Sequence, residues 1–312
     1  MTMTQQRLLH ALDDLGAVPL PGAGETARRL RALADLGSGD LAVARLVEGH
    51  LDAVAILAEA AVPSPDGLLG VWAADPPAGR VDALRRGDGW ALHGTKQWCS
   101  GAGMLDHALM TAHAADGYRL FHLPLASVGV GICQQRWQAV GMRDSATFDV
   151  VLDDAALCGE AAVGPPGWYL QRRGFWIGGI GVAACWYGGA VGALRSLRDA
   201  VCQRRDDPHG VAHLGAADAL CAAMWAVLEA AADAIDDGLD GEDLRYRARQ
   251  VRAVVERLAT DVLCHAERGI GAAGLTRDPA MARRAADLPV YLRQHHAEAD
   301  LAALGAAVLK RR

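Results

Sequence analysis

Two adjacent histidines near the C-terminus, His295 and His296, could do acid–base chemistry. Imidazole titrates near neutral pH, so either histidine can accept or donate a proton under physiological conditions. Glu298 follows shortly after them and is a second kind of candidate base. A partly exposed helix position without a catalytic role accounts for either histidine equally well. The residue types therefore provide candidates for catalysis and do not choose among them.

A second stretch combines an aromatic ring with a thiol and a hydroxyl in the consecutive residues Trp98, Cys99 and Ser100. Taken alone, Trp98 is an ordinary core aromatic and Ser100 an ordinary turn hydroxyl. The glycines Gly269 and Gly271 alone predict the C-cap of a helix. These residues acquire a functional interpretation only from the elements that position them.

The composition excludes several function classes. The net charge of −6 and the lack of Lys/Arg runs argue against nucleic-acid binding. The seven cysteines are odd in number and lack the Cys-x-x-Cys spacing, so neither a metal site nor a disulfide framework is expected. Reduced thiols favour a cytoplasmic protein.

No membrane segment is expected from the sequence. The N-terminus carries early acidic residues and lacks the apolar core of a signal peptide. The most apolar stretch, residues 175–194, is rich in glycine and flanked by Arg172, Arg173 and Arg195. It falls short of the continuous run of about 20 uncharged apolar residues that a membrane-spanning helix requires, and we interpret it as a buried helix.

Hydrophobic periodicity predicts helices, then strands, then helices. Residues 4–61 have helical spacing, broken around residues 19–22, and Asp40 is the expected N-cap of the third helix. From 67 to 164 short apolar runs alternate with turn signals, and residues 87–89 predict a hairpin. The expected strands lie at 68–73, 81–84, 90–92, 107–113, 118–123, 129–136 and 147–152. Such short antiparallel strands form a small barrel or sandwich.

The helical period returns after residue 167 and predicts four long helices, at 168–204, 211–236, 241–268 and 279–309. The predicted fold class is therefore mainly α with an inserted β domain. Its parts are a short N-terminal helical domain (1–64), a β-barrel domain (65–165) and a C-terminal antiparallel four-helix bundle (166–312). The crevice where such parts meet is a common place for a flat cofactor.

This order of elements, together with three local motifs, resembles the acyl-CoA dehydrogenase superfamily. The first motif is Gly94-x-Lys96 followed by Trp98 and Ser100. The second is Gly141-Met142-Arg143, which is similar to the family's Leu-Gly-Met-Arg segment. The third places glycines at 269 and 271 between two helices and residues 286–288 at the opening of the last one. The resemblance covers most of the chain from about residue 65 onward.

The resemblance implies FAD as the cofactor. Trp98 is then expected along the flavin ring, with backbone and hydroxyl groups at Cys99 and Ser100 donating to its edge. Trp72 is expected at the other edge, within the segment 71–75. Arg268, Gly269 and Gly271 are expected near the cofactor of a neighbouring subunit. A homodimer or homotetramer is implied, because the family builds its FAD site across subunits.

The sequence departs from the family at the catalytic base. Family members use a glutamate in a Glu-Gly-Thr segment, and that position falls near residues 294–296 here. Three interpretations remain open: a displaced base at Glu298 or Glu48, a histidine at 295 or 296, or loss of catalysis. The pattern that grips the FAD pyrophosphate is also missing, and its place holds Asp206 and Asp207, with arginines at 204 and 205 alongside.

Three functions are compatible with these residues and with the resemblance. The first is a flavin-dependent dehydrogenase that oxidises the α,β-bond of an acyl thioester or a related acyl substrate. The second is a flavin monooxygenase that a separate reductase supplies with reduced flavin. The third is a non-catalytic protein that retains the fold. The substrate, the electron acceptor or reductase, and the identity of the base stay open.

Overall fold

The computed structural model describes residues 2–76, 79–134, 137–204 and 206–311. The chain divides into two compact units. The first comprises Met1–Leu12, Arg45–Ala139 and Arg143–Phe175, and the second Asp13–Ala44, Val140–Met142 and Trp176–Arg312. The division falls within three helices, so the units do not follow the order of the chain. The three-domain boundaries expected from the sequence stay a prediction.

The first unit is built on one β-sheet. Its strands are β1 (Leu69–Trp72), β2 (Val81–Arg86), β3 (Gly89–Cys99), β4 (His107–Ala114), β5 (Gly117–Pro124), β6 (Val130–Cys133), β7 (Phe148–Leu157) and β8 (Ala162–Val163). Their order across the sheet is β6-β7-β3-β2-β4-β5-β8, and β1 pairs with β4 off this path. The predicted hairpin at 87–89 is confirmed as the tight turn between β2 and β3.

The expectation of an entirely antiparallel sheet was wrong for β4. Its first half pairs in parallel with β1, from Leu69 opposite His107 to Trp72 opposite Met110. Its second half pairs in parallel with β2, where Asp82 lies opposite His113. Parallel neighbours require a long connection, and the intervening hairpin of β2 and β3 provides it for β1.

Helices cover part of this sheet. The first unit contains most of α1 (Met3–Leu15) and α3 (Leu41–Glu59), and the short helix α4 (Trp168–Gln171). Asp40 is confirmed as the cap of α3, because its Oδ1 accepts the backbone N–H groups of Ala42 and Val43. Apolar side chains of α3, the sheet and α4 form one buried cluster: Ala53, Ile56, Leu57, Leu69, Leu109, Leu120, Val163 and Tyr169.

The second unit is helical. It contains α2 (Thr26–Gly39), most of α5 (Arg173–Cys202), α6 (Pro208–Asp236), α7 (Gly241–Ile270), α8 (Ala272–Arg277), α9 (Pro279–Leu292) and α10 (Glu298–Lys310). Helices α2 and α5 approach closely through glycines. A Cβ at Gly188 would lie 2.0 Å from the carbonyl oxygen of Ala34, and one at Gly37 would lie 2.3 Å from that of Cys185.

The predicted last helix, 279–309, is two helices separated by a turn at 293–297. The backbone N–H groups of Gln294 and His295 bond three residues back, which tightens the end of α9. Ala297 then has a positive φ of 45°, and Asp300 accepts the backbone N–H of His296 at the start of α10. A single continuous helix is excluded by these backbone angles.

Among the described residues, α5 and α6 are long and apolar enough to cross a membrane by length and composition alone. The core helix of a soluble protein passes the same test. The most apolar window of α5 is 72% buried within the fold, in agreement with its interpretation as a buried helix, whereas that of α6 is 22% buried.

Candidate functional site

A bulge in β3 presents Trp98 to the solvent. The register between β3 and β7 shifts between Lys96 and Cys99, and Trp98 has a φ of 60°. Such a positive φ is a strained conformation for a bulky residue, and bulges of this kind re-aim side chains near functional sites. Trp98 is 56% exposed. Trp98 is therefore an exposed aromatic surface held by a strained backbone, and not an ordinary core residue.

Ser100 lies just beyond this bulge and is fixed by its neighbours. The buried Trp72 donates its indole N–H to the carbonyl oxygen of Ser100 at 3.0 Å. The next backbone N–H, of Gly101, donates to the carbonyl oxygen of Ser145 at 2.8 Å. Trp72 thus supports Ser100 from inside the unit, and its ring offers no exposed face.

Two further hydroxyl groups lie behind Ser100. Thr147 donates to the Ser100 Oγ atom at 3.1 Å, and the hydroxyls of Ser145 and Thr147 are 2.7 Å apart. Thr147 and Ser145 are both buried. Sequence reasoning missed both as site residues. They form a Ser-x-Thr pair that follows Arg143 after one intervening residue, but nothing within this pair indicates a contact with Ser100.

Cys99 and Lys96 face the interior of the unit. The Cys99 thiol is fully buried and donates to the carbonyl oxygen of Lys96 at 3.3 Å, and burial raises its pKa. The Lys96 ammonium, 1% exposed, donates to the carbonyl and hydroxyl oxygens of Thr111. Burial lowers the pKa of Lys96, while Asp75 opposes this effect. The Cys99 side chain is therefore a core group, and the expected donation from the backbone at Cys99 stays a prediction.

The segment after β1 forms a polar rim. The carboxylate of Asp75 lies 2.8 Å from His113 Nε2. Tyr118 donates to the hydroxyl of Thr111 at 2.7 Å, which joins this rim to the Lys96 network. Burial raises the pKa of Tyr118, so its hydroxyl keeps its proton at neutral pH. Asp75 ends the segment expected at the other flavin edge, whereas no local sequence motif predicted His113 on β4 or Tyr118 on β5.

In the second unit, the turn between α9 and α10 separates the two histidines. The side chain of His295 is 3% exposed and that of His296 is 73% exposed. His295 Nε2 lies 3.9 Å from Asp300 Oδ2, beyond hydrogen-bond distance, and its Nδ1 has no hydrogen-bond partner among the described residues. Burial lowers the pKa of His295, and Arg252 adds to this effect while Asp300 opposes it. His295 is therefore neutral at pH 7.

The alternative carboxylates are less suited to proton abstraction. Glu298 is exposed in the first turn of α10. Glu48 is buried in the first unit, but its carboxylate pairs with Arg45 at 2.8 Å. A base that must accept a proton from a substrate requires an accessible lone pair and a pKa near neutrality. Among the predicted candidates, His295 combines burial with an Nδ1 atom that has no hydrogen-bond partner among the described residues.

The residues predicted to contact a neighbouring cofactor are found at the end of α7. Arg268 is exposed, while a Cβ at the buried Gly269 would lie 2.6 Å from Leu197. Gly271 has a φ of 73° and caps α7. Arg204 pairs with Asp207 at 3.1 Å and donates to the carbonyl oxygen of Gly269, so its charge is already compensated. Residue 205 lies outside the described residues. The cross-subunit role of these residues stays a prediction.

The comparisons with known proteins agree with this geometry. Residues 74–155 match the acyl-CoA dehydrogenase middle domain. The human short-chain specific acyl-CoA dehydrogenase of mitochondria is 27% identical over 127 residues, which is 38% of this chain and 31% of that enzyme. The sequence match therefore spans less than a third of the curated relative's length.

Two solved structures extend the likeness to nearly the whole chain. Glutaryl-CoA dehydrogenase from Mycobacterium smegmatis is 20% identical, with a TM-score of 0.81 over 93% of this chain and 82% of that one. TdsC from Paenibacillus sp. A11-2, solved with FMN and indole, is 18% identical, with a TM-score of 0.83 over 99% and 89%. TdsC is a dibenzothiophene monooxygenase. The resemblance is thereby confirmed: this chain has the acyl-CoA dehydrogenase fold, and its residues 74–155 match the middle domain of that family.

Proposed function

We propose that this chain is a flavin-dependent oxidoreductase that holds the flavin ring against the bulge of β3. One observation carries the proposal: Trp98 is exposed in a strained conformation directly beside the fixed hydroxyl of Ser100. A flat aromatic surface next to a hydrogen-bond donor fits the face and the edge of an isoalloxazine ring. A bound flavin would supply the redox chemistry, and the chain would bind and orient its ring.

FAD is the form that we propose, because the superfamily resemblance implies it. FMN is the alternative, supported by its presence in TdsC. The compensated charge of Arg204 leaves this arginine less able to bind a pyrophosphate, which also favours the smaller cofactor. Titration of flavin-free protein with FAD and FMN, followed by flavin fluorescence, distinguishes the two. Tighter binding of FMN would reject FAD as the working cofactor.

The first reaction that we propose is α,β-dehydrogenation of an acyl thioester or a related acyl substrate. The match to the acyl-CoA dehydrogenase middle domain supports it. His295 would accept the α-proton, because it is neutral at pH 7 and its Nδ1 has no hydrogen-bond partner among the described residues. Anaerobic addition of an acyl-CoA panel to the flavin-loaded protein is expected to bleach the visible flavin absorbance. No bleaching with any acyl-CoA would reject this reaction.

A second candidate is monooxygenation with reduced flavin and oxygen. The specific observation in its favour is the buried histidine at 295, where the family's dehydrogenases use a glutamate. The likeness to TdsC supports the same assignment. An assay with a flavin reductase, NADH and a panel of aromatic and sulfur substrates tests it, with an oxygenated product as the positive result. Uncoupled NADH consumption without product would reject it.

Both reactions predict the same pair of variants. His295→Gln is expected to abolish turnover, because it removes the titrating imidazole. His296→Gln is the matched control, since its side chain is 73% exposed and is expected to leave turnover unchanged. A colourless protein that binds neither flavin would instead indicate the non-catalytic alternative. Assembly as a homodimer or homotetramer, and a cytoplasmic location, remain parts of the proposal.

A further inference from the structure

Three hydroxyl groups form a chain that ends at the proposed flavin edge. Ser145, Thr147 and Ser100 follow one another at 2.7 and 3.1 Å. The first two are almost fully buried, with 1% and 5% of their surface exposed, whereas Ser100 is half-buried. The chain therefore runs from the interior of the first unit towards its surface.

The geometry of the chain fixes the direction of its hydrogen bonds. A hydroxyl has one hydrogen to donate and two lone pairs that accept. Thr147 gives its hydrogen to the Ser100 Oγ atom, so at the other contact Thr147 must accept the hydrogen of Ser145. Among the described residues, no acceptor takes the hydrogen of Ser100. This hydrogen is left to point away from Thr147.

We propose that Thr147 and Ser145 are positioning residues that make Ser100 a directed hydrogen-bond donor towards the flavin edge. This inference rests on the proposed flavin site. An oxygen that already accepts a hydrogen bond donates its own hydrogen more strongly, because the bonds in a chain polarise one another. The Trp72 indole and the carbonyl oxygen of Ser145 both bind the peptide group between Ser100 and Gly101. The hydroxyl chain therefore sets the direction of the Ser100 hydroxyl, and these backbone contacts fix its position.

A positioning role and a packing role for Thr147 predict opposite results for two substitutions of this residue. Thr147→Val keeps the shape of the side chain and removes the hydroxyl, whereas Thr147→Ser removes a methyl group and keeps the hydroxyl. A packing role requires the valine variant to behave like the wild type. The positioning role requires the serine variant to do so. Val for Thr is not a neutral exchange at a hydrogen-bonded site.

The experiment measures the visible absorbance spectrum and the dissociation constant of FAD and FMN, without substrate. Ser100→Ala is expected to weaken binding of the preferred flavin roughly three- to tenfold, the loss of one hydrogen bond, and to shift the flavin absorbance bands. Thr147→Val is expected to cause a smaller shift in the same direction, and Thr147→Ser to restore the wild-type spectrum. In the double variant Ser100→Ala/Thr147→Val, the second change is expected to add nothing, because Thr147 acts through Ser100. Thr95→Val, on the same strand, is the matched control.

The outcomes separate this inference from the proposed function. Wild-type protein that binds neither flavin overturns both. Flavin binding by the wild type with an unchanged spectrum in Thr147→Val overturns the hydroxyl chain and leaves the flavin site standing. Additive effects of the Ser100 and Thr147 substitutions also overturn it, since they would show that Thr147 acts independently. Circular dichroism and urea denaturation of each variant establish that the fold is retained.

Discussion

The strained backbone at Trp98 leads to a prediction that reverses the usual ranking of alanine and glycine in a strand. In a regular strand, a protein with glycine is less stable than one with alanine at the same position by about 0.5–1 kcal/mol, since glycine loses more conformational freedom on folding. At a φ of 60°, an L-residue instead carries a cost of about 1–2 kcal/mol that glycine avoids. Trp98→Gly and Trp98→Ala both lose the indole, so their difference isolates the backbone. We expect the glycine variant to be more stable by about 1 kcal/mol.

The assay is urea denaturation of both variants, with Val151 on β7 as the matched position. Val151 is 42% exposed and is not among the described residues with a positive φ. There the ordinary order should hold, and Val151→Ala should be more stable than Val151→Gly. If the alanine variant were more stable than the glycine variant by the same amount at both positions, the left-handed conformation of Trp98 would be refuted.

The same variants test the function of the exposed indole. Both Trp98→Ala and Trp98→Gly should weaken flavin binding equally, by roughly three- to tenfold, which corresponds to one aromatic stacking contact. Trp98→Phe should retain part of the affinity. Unequal losses in the alanine and glycine variants would mean that the backbone, and not the ring, contributes the binding energy. Unchanged affinity in all three would remove Trp98 from the site.

Three further predictions concern stability. Burial lowers the pKa of His295, so below the pKa of the unfolded state, about 6.5, the unfolded protein binds more protons than the folded protein. The free energy of unfolding should therefore decrease as the pH falls below about 6.5, and less steeply in His295→Gln. Urea denaturation of both proteins at several pH values measures this, and an equal pH dependence of the two free energies would contradict it. Gly188→Ala should destabilise by roughly 3 kcal/mol or more, because its Cβ would lie 2.0 Å from the Ala34 oxygen, whereas Gly179→Ala in the same helix should be tolerated, with its nearest neighbour at 3.6 Å. Arg172→Met should cost about 3–5 kcal/mol by urea denaturation, since the guanidinium is 1% exposed between two carboxylates; a loss below about 1 kcal/mol would show that the ion pairs contribute little.

The sequence could predict those elements whose signals are local. Asp40 caps α3 through its own side chain, so the first residues of that helix depend on one nearby carboxylate. The turn at 87–89 needs one residue of unusual backbone freedom, Gly87 with a φ of 57°, and it forms the hairpin of β2 and β3. Hydrophobic periodicity and turn residues are sufficient to predict an element whose structure is determined by contacts between residues a few positions apart.

The remaining features depend on distant parts of the chain. The bulge that turns Trp98 outwards exists because β3 pairs with β7 across an irregular register, more than 45 residues away in sequence. The parallel pairing of β4 with β1 and β2 likewise depends on the path of the intervening hairpin. The Ser145–Thr147–Ser100 hydroxyl chain joins two segments that lie more than 40 residues apart in sequence. None of these has a signature within a single window of sequence.

The choice between the two histidines shows how a local backbone break determines chemistry. In one continuous helix, adjacent residues point about 100° apart, and periodicity alone assigns neither His295 nor His296 to the interior. The turn at 293–297 ends α9 before the pair, and the backbone N–H of His296 then bonds to Asp300 at the start of α10. This arrangement buries one imidazole and exposes the other, and burial is what lowers the pKa of His295. The helix break therefore decides which of the two imidazoles is buried and neutral at pH 7, and the turn at 293–297 contains neither glycine nor proline that would have predicted it from the sequence.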